Sequence, residues 1–266
     1  MKKITIIGGD NRLKLVKEAL VKEGYAVDTY GLYEDDVATI YTSEVIVFPV
    51  PTTKDSKTVF APLTSKKILL DEISEEINQE QLILSCNYNF ENKRCIDYGS
   101  LDSYALLNSV PTAEGAIKIA IENTAFTLWK SRVLVIGYGR VGKILADRLK
   151  ALGAFVTVSA RKPADFAMLS SLGFCYIHTA EIEQNLSDFD IIFNTVDVTV
   201  ISEAALKKCK AHLLIDLSSK GGFNLETAKK CGIKAIKAPG LPGIIAPKTA
   251  AEILSNTITT VINTYN

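Results

Sequence analysis

Gly137-Tyr138-Gly139-Arg140-Val141-Gly142 is the stretch whose residue types and spacing speak most directly of chemistry. It follows an apolar run, residues 133 to 136, and opens a segment of helical periodicity, 141 to 151; a second apolar run, 155 to 159, comes next. In that setting the three glycines have separate tasks. Gly137 permits a tight turn, Gly139 lets a pyrophosphate approach the backbone, and Gly142 lets helix and strand pack closely. The N–H groups at the start of the helix, around Tyr138, Arg140 and Val141, then face phosphate charge. The implied chemistry is dinucleotide binding.

A site for NAD(H) usually ends its second strand on Asp or Glu, which binds the ribose 2′-hydroxyl. Here that place reads Ser159-Ala160-Arg161-Lys162. No carboxylate repels a 2′-phosphate, and a hydroxyl and two cations stand ready to bind one. NADP(H) is therefore favoured, with NAD(H) as the alternative. Ligands of open α/β sheets lie beyond the carboxyl ends of the strands. Thr195 and Val196, the 215–222 segment with Lys220, and Pro239-Gly240 are accordingly expected to frame the nicotinamide half of the site.

A second set of residues suits a carboxylate. Asp10 and Arg12 follow Gly8-Gly9 at a strand-to-helix turn, where Asp10 fits an N-cap and Arg12 an anion contact. Pro111 and Thr112, after Asn108-Ser109, are expected to open a long helix running to Trp129, with its first N–H groups free for an anion. His178 is expected nearer the adenosine, and His212 on the edge away from ligands. Lys220, Lys248, Tyr88, Glu114 and Asp216 stay open as proton carriers or charge stabilisers, with Lys220 and Glu114 as the catalytic candidates and Lys248 as a substrate contact. Five scattered cysteines without a CxxC pair point away from a disulfide framework or a metal site.

What must position these residues is a chain of 266 residues, 47% hydrophobic and 23% charged, so a folded core is expected and disorder is not. Thirty basic residues balance thirty acidic ones, which leaves no bulk-charge footprint for nucleic acid. No apolar run reaches membrane-spanning length, and the apolar residues after Met1-Lys2-Lys3 are too few for a signal peptide. A cytoplasmic protein is expected. Apolar runs alternate with helical spacing twice over, predicting an α/β protein of two doubly wound parallel-sheet domains, the second a Rossmann domain, joined by two crossing helices. The expected division is 1–128 plus a C-terminal helix, 247–266, against 129–246.

The segments GGDNR, NSVPTAEGAIKIAIENT, VLVIGYGRVGK, IDLSSKGG and APGLPGIIAPKTA together resemble the dipicolinate synthase A-subunit family nearly end to end. The resemblance implies a flavodoxin-like first domain and a fold similar to the formate/glycerate and D-2-hydroxyacid dehydrogenases, with Pro239 to Pro247 as the return crossing, kept slim by glycine near the cofactor. It implies oxidation of a dihydrodipicolinate-level precursor to dipicolinate, with NADP+ as acceptor, in the mother cell of a sporulating bacterium. It also implies a flavoprotein-like B-subunit as partner, and a small dicarboxylate held by Arg12, helix N-termini and Lys220 or Lys248. Two alternatives stand beside this. One is a non-catalytic binding subunit that supports the flavoprotein-like partner; the other is a 2-hydroxyacid dehydrogenase-like enzyme, disfavoured because no histidine is suitably placed. Homo-oligomerisation stays open.

Overall fold

The computed structural model describes residues 2–37 and 40–265. Along the chain the elements are β1 (Lys3–Ile7), α1 (Asn11–Lys22), β2 (Ala26–Tyr30), β3 (Val45–Val47), α2 (Leu70–Glu76), β4 (Leu82–Ser85), β5 (Cys95–Asp97) and the long α3 (Asp102–Asn123). There follow β6 (Arg132–Ile136), α4 (Arg140–Ala151), β7 (Phe155–Ala160), α5 (Pro163–Ser171), β8 (Cys175–His178), α6 (Ile182–Asn185), β9 (Ile191–Asn194), α7 (Glu203–Leu206), β10 (Leu213–Asp216), α8 (Leu225–Lys230) and β11 (Lys234–Lys237). A short α9 (Leu241–Ile245) and α10 (Pro247–Thr264) complete the chain.

These elements form two compact units, one of residues up to Asn108 with those from Pro242 onward, the other of Ser109–Leu241. The division falls at 108/109 and 241/242, not at 128/129 and 246/247 as expected, and it cuts through α3. That helix starts ten residues before the expected Thr112 and ends at Asn123, short of Trp129. Pro111 therefore lies inside the helix, where it removes one backbone donor without ending the run. Its C-terminal end is set by side chains: Asn123 Nδ2 donates to Ile119 O at 2.7 Å and Thr124 Oγ1 to Ala120 O at 2.9 Å.

The first unit's sheet has the parallel order β2-β1-β3-β4-β5. Successive strand residues point to opposite faces, so a strand buried on both faces reads as a continuous apolar run. Ile4, Ile6, Val45, Val47, Leu82 and Leu84 enter one core, while Ile7, Ile46 and Ile83 enter the other. On the first face, Leu13, Val16 and Leu20 of α1 meet Leu254, Ile258 and Val261 of α10. Thr259 Oγ1 of α10 also donates to Glu23 Oε2 at 2.8 Å. The returning chain thus completes the first unit's own core.

The second unit's parallel sheet runs β11-β10-β9-β6-β7-β8, the doubly wound order of a dinucleotide fold. Among the described residues this sheet has six strands. Leu134, Ile136, Ile192 and Leu214 pack on one face against Ile182, Leu186, Leu206 and Ala228. Between neighbours β6 and β9 the order reverses, which places the ends of β6 and β9 beside the glycine turn.

Candidate functional site

The glycine turn of the second unit is built by close contacts. Gly137 has φ +99°, and a Cβ there would come within 2.6 Å of Val196 Cγ1 and 2.7 Å of Thr195 Oγ1. At Gly142 a Cβ would sit 2.1 Å from Gly137 O, so this position must be glycine for α4 to meet the turn. Gly139 differs from both. Its φ is −81°, open to any residue, and among the described residues, its own chain neighbours apart, nothing lies within 4 Å of where its Cβ would stand. Gly139 is also the N-cap of α4 and supplies no side-chain acceptor to the first N–H groups. The protein leaves both space and donors there, which fits a pyrophosphate.

The turn borders a pocket of about 280 Å³ lined by Tyr138, Gly139, Ala160, Arg161, Lys162, Asp165 and Val198, among others. Lys143 Nζ lies 5.0 Å from the centre of the Tyr138 ring, and desolvation raises the pKa of that phenol. Arg161 and Lys162 are exposed at the lip, just beyond β7. Ser159 is placed otherwise than expected. Its fully buried hydroxyl accepts from Gly137 N–H at 3.3 Å, so it supports the turn instead of reaching for a phosphate. Arg140 is exposed and Val141 half-buried in the first turn of α4.

Beyond β9 and β10 the ends are polar and tightly bonded. Thr195 Oγ1 donates to Ile136 O at 2.8 Å, tying the end of β9 to β6. Asp216 and Asn194 are fully buried, and Asn194 Nδ2 donates to Asp216 Oδ1 at 2.9 Å. Lys237 Nζ lies 3.0 Å from Asp216 Oδ2. Burial alone would raise the Asp216 pKa, yet bonds from Ser218, Asn194 and Lys237 hold it below the usual carboxylate range. Lys220 is exposed, with its backbone N–H bonded to Asp197 Oδ1 at 3.2 Å. Pro239 and Gly240 are exposed after β11. Asp197 and Lys237 were missed from sequence, and Asn194 was not singled out. The readable signal was a polar residue closing an otherwise apolar strand, as in IIFN and LLID.

In the first unit Asp10 caps α1, accepting from Arg12 N–H at 3.0 Å. The same carboxylate accepts from Arg12 Nη2 at 2.7 Å and from Nε at 2.9 Å, and Nη2 also donates to Val50 O at 2.9 Å. Arg12 is only 5% exposed. Desolvation is the largest single effect and works against its charge, but the Asp10 bond together with the charge attraction of Asp10, Tyr104 and Tyr98 leaves the guanidinium pKa raised. The Nη1 edge makes no hydrogen bond among the described residues. Gly243 of the return segment lies against this group, since a Cβ there would come within 2.7 Å of Arg12 Nε. Glycine in that segment thus makes room for Arg12, where the sequence suggested the cofactor. Tyr104, also missed, is buried with its ring edge-on to Tyr98 at 5.3 Å, and is within electrostatic reach of Arg12.

The remaining candidates are not gathered with these groups. Ser109 and Thr112 lie within α3, so neither faces the free helix start expected there. Glu114 was expected to act as acid or base, but it pairs with Arg148 Nη2 at 3.3 Å. That pair borders a separate, apolar hollow of about 590 Å³ formed with Ile117, Ile121 and Leu152. Arg148 stands at the far end of α4 from the glycine turn, which removes Glu114 from the cofactor pocket. Lys248 is exposed in the first turn of α10. His178 caps the turn after β8 and accepts from Ala180 N–H, while the His212 ring meets Phe126 at 5.4 Å. The five cysteines are free thiols. Among the described residues no helix is long and apolar enough to cross a membrane.

Comparison with known proteins agrees with this geometry. Residues 3–107 match the family described as the N-terminal domain of the dipicolinate synthase A-subunit, and residues 124–221 match one described as "Putative NAD(P)-binding". The dipicolinate synthase A-subunit of Bacillus subtilis (strain 168) is 32% identical, over 96% of this chain and 94% of that protein. The crystal structure of the dipicolinate synthase A-subunit from Bacillus halodurans aligns with a TM-score of 0.88 and 32% identity, covering 98% of this chain and 97% of that one. Likeness of fold alone extends to Salmonella D-lactate dehydrogenase, with a TM-score of 0.67 and 13% identity over 97% of this chain and 95% of that one. The chain belongs to the dipicolinate synthase A-subunit family.

Proposed function

We propose that this chain is an NADP(H)-dependent oxidoreductase that forms dipicolinate from a dihydrodipicolinate-level precursor, in company with a flavoprotein-like B-subunit during sporulation. The observation that carries the reading is Gly139: an uncapped helix start with open space where a side chain would be. Gly137, Tyr138, Gly139, Arg140, Val141 and Gly142 would hold the pyrophosphate. Arg161 and Lys162 would take the 2′-phosphate, with no acid at the end of β7 to oppose it. When bound, NADP+ supplies the acceptor for a hydride leaving the dihydropyridine ring.

The chain's own residues bind and orient. Lys220, whose side chain makes no hydrogen bond among the described residues, offers an ammonium to a substrate carboxylate. Arg12 and Lys248 are the first unit's candidate cations for substrate, and the open Nη1 edge of Arg12 can meet one carboxylate oxygen. The ring gains aromaticity, so positioning with solvent or a modest base as proton acceptor suffices.

The test mixes purified chain, with and without the flavoprotein-like partner, with enzymatically generated precursor and NADP+. NADPH and a pyridine chromophore should rise together; absence of both under either condition rejects the reading. The commitment of Glu114 to Arg148 favours one second reading, a non-catalytic subunit that binds nucleotide and substrate while the flavoprotein-like partner performs the oxidation. Turnover by the chain alone would reject that alternative.

A further inference from the structure

The turn that carries Lys220 is pinned from two sides. Asp216 Oδ1 accepts from Ser218 N–H at 3.1 Å and Ser218 Oγ at 2.6 Å, while Oδ2 accepts from Gly222 N–H at 3.2 Å and Lys237 Nζ at 3.0 Å. One carboxylate therefore grips both ends of the loop from Ser218 to Gly222. In the middle of that loop, Asp197 Oδ1 accepts from Ser219 N–H at 2.7 Å, Ser219 Oγ at 2.8 Å and Lys220 N–H at 3.2 Å. Asp197 belongs to the turn after β9, so the two turns brace each other.

The same carboxylate reaches the glycine turn through Asn194. Asn194 Nδ2 donates to Asp216 and to Val196 O, both at 2.9 Å, and its Oδ1 accepts from Val196 N–H at 3.3 Å. Val196 and Thr195 are the groups that crowd Gly137. Gly222 closes the set, because a Cβ there would fall 2.2 Å from Asn194 Nδ2. A chain of direct contacts thus runs from Lys237 through Asp216, Asn194 and Val196 to Gly137. A buried carboxylate with this many donors is fully satisfied and can hold only one arrangement of them.

We propose that Asp216, held by Lys237, is the positioning residue of the second unit's ligand edge: it fixes the turn that presents Lys220 and, through Asn194, the turn that backs Gly137. This rests on the reading of the glycine turn and Lys220 as ligand-facing. Asp216 itself touches no ligand in the proposal, and Lys237 serves as its countercharge.

Stability and positioning can be separated by removing the charges together. Lys237→Met leaves a buried carboxylate unpaired and should lower both Tm and NADP+ affinity. In the double variant Asp216→Asn, Lys237→Met no buried charge is unpaired, so Tm should recover part of what Lys237→Met alone loses. The Asn side chain has one acceptor oxygen in place of two, so NADP+ affinity, read by calorimetry on the full chain, should stay about tenfold weak. Lys237→Arg should keep both. Recovery of affinity together with Tm in the double variant, or wild-type affinity in Asp216→Asn alone, overturns the proposal. If the parent chain binds no NADP+, the cofactor reading falls separately. Positioning is then read by amide exchange of the 215–223 segment: faster exchange there than in the rest of the double variant's second sheet supports it, and protection equal to the parent's overturns it.

Discussion

The two units each contain a strand, a glycine turn and a helix at the same place in their sheets, yet only one of the turns is left open. In the first unit Gly8 N–H donates to Tyr30 O on the neighbouring strand at 2.8 Å, much as Gly137 N–H donates to Ser159 O at 3.2 Å in the second. From there they part. Gly9 N–H is taken by Phe60 O at 2.8 Å, and a Cβ on Gly8 would run into Val59 and the Phe60 carbonyl at 2.8 and 2.9 Å. The helix start is capped by Asp10, and Arg12 is drawn back onto the cap. The chain thus answers its own turn with a loop, an acceptor and an ion pair. In the second unit the corresponding helix start has no side-chain cap, and among the described residues nothing but its chain neighbours stands within 4 Å of where a Gly139 Cβ would be. Equal topology does not make equal sites; what matters is whether the protein has already satisfied the donors that the topology exposes.

The comparison breaks most sharply at Gly139. Gly139→Asp puts into the second turn what the first already has, an acidic N-cap. Stability should hold or rise slightly, since Asp is a good cap, while a carboxylate now occupies phosphate space. NADP+ affinity should fall about a thousandfold, or about 4 kcal/mol. Calorimetry and a thermal melt on the same variant check both halves; retained affinity would mean the open turn is not a phosphate site. The converse change is Asp10→Ala, which opens the first turn. It removes a cap and leaves Arg12 buried without its partner, so the chain should lose about 3 kcal/mol of stability in a denaturant titration. Asp10→Ala with Arg12→Met should recover much of that loss. A single variant within about 1 kcal/mol of the parent would show that the first turn does not depend on its pair.

Much of this is legible from residue order because strands buried on both faces and glycines with fixed roles leave strong local signatures. The two parallel sheets and the glycine motif are of that kind. The start of the long helix is not, because Pro111 carries a start signal while packing takes the helix through it. Glu114 is attractive only by residue type; its partner Arg148 stands 34 residues on, and no spacing rule joins them. Arg12 is located correctly at its turn, but neither its bond to Val50 O nor the nearness of Gly243 follows from local sequence. The Asp216 brace needs three strand ends brought side by side. Each of its members looks ordinary alone.

Cofactor choice tests the rim of the open turn. Arg161→Ser with Lys162→Ser should weaken NADP+ by about tenfold while leaving NAD+ nearly unchanged, because exposed cations on a phosphate contribute modestly in solvent. The ratio of the two dissociation constants is the measurement. An equal loss for both nucleotides would assign these cations to the shared pyrophosphate instead of the 2′-phosphate.

The smallest expected effect separates Ser159 from those cations. Its hydroxyl lies inside the turn at 3.3 Å from Gly137 N–H, and that N–H already has the Ser159 carbonyl at 3.2 Å. Ser159→Ala therefore removes the weaker half of a shared bond, a loss of about 0.5–1 kcal/mol at most. The nucleotide should feel it only through a slightly looser Gly137, so NADP+ and NAD+ affinities should fall by the same factor, under about threefold. A selective loss of NADP+ would mean that the hydroxyl turns outward to the 2′-phosphate when nucleotide binds. Gly137 N–H would then lean on the carbonyl alone, as Gly8 does on Tyr30 in the closed turn.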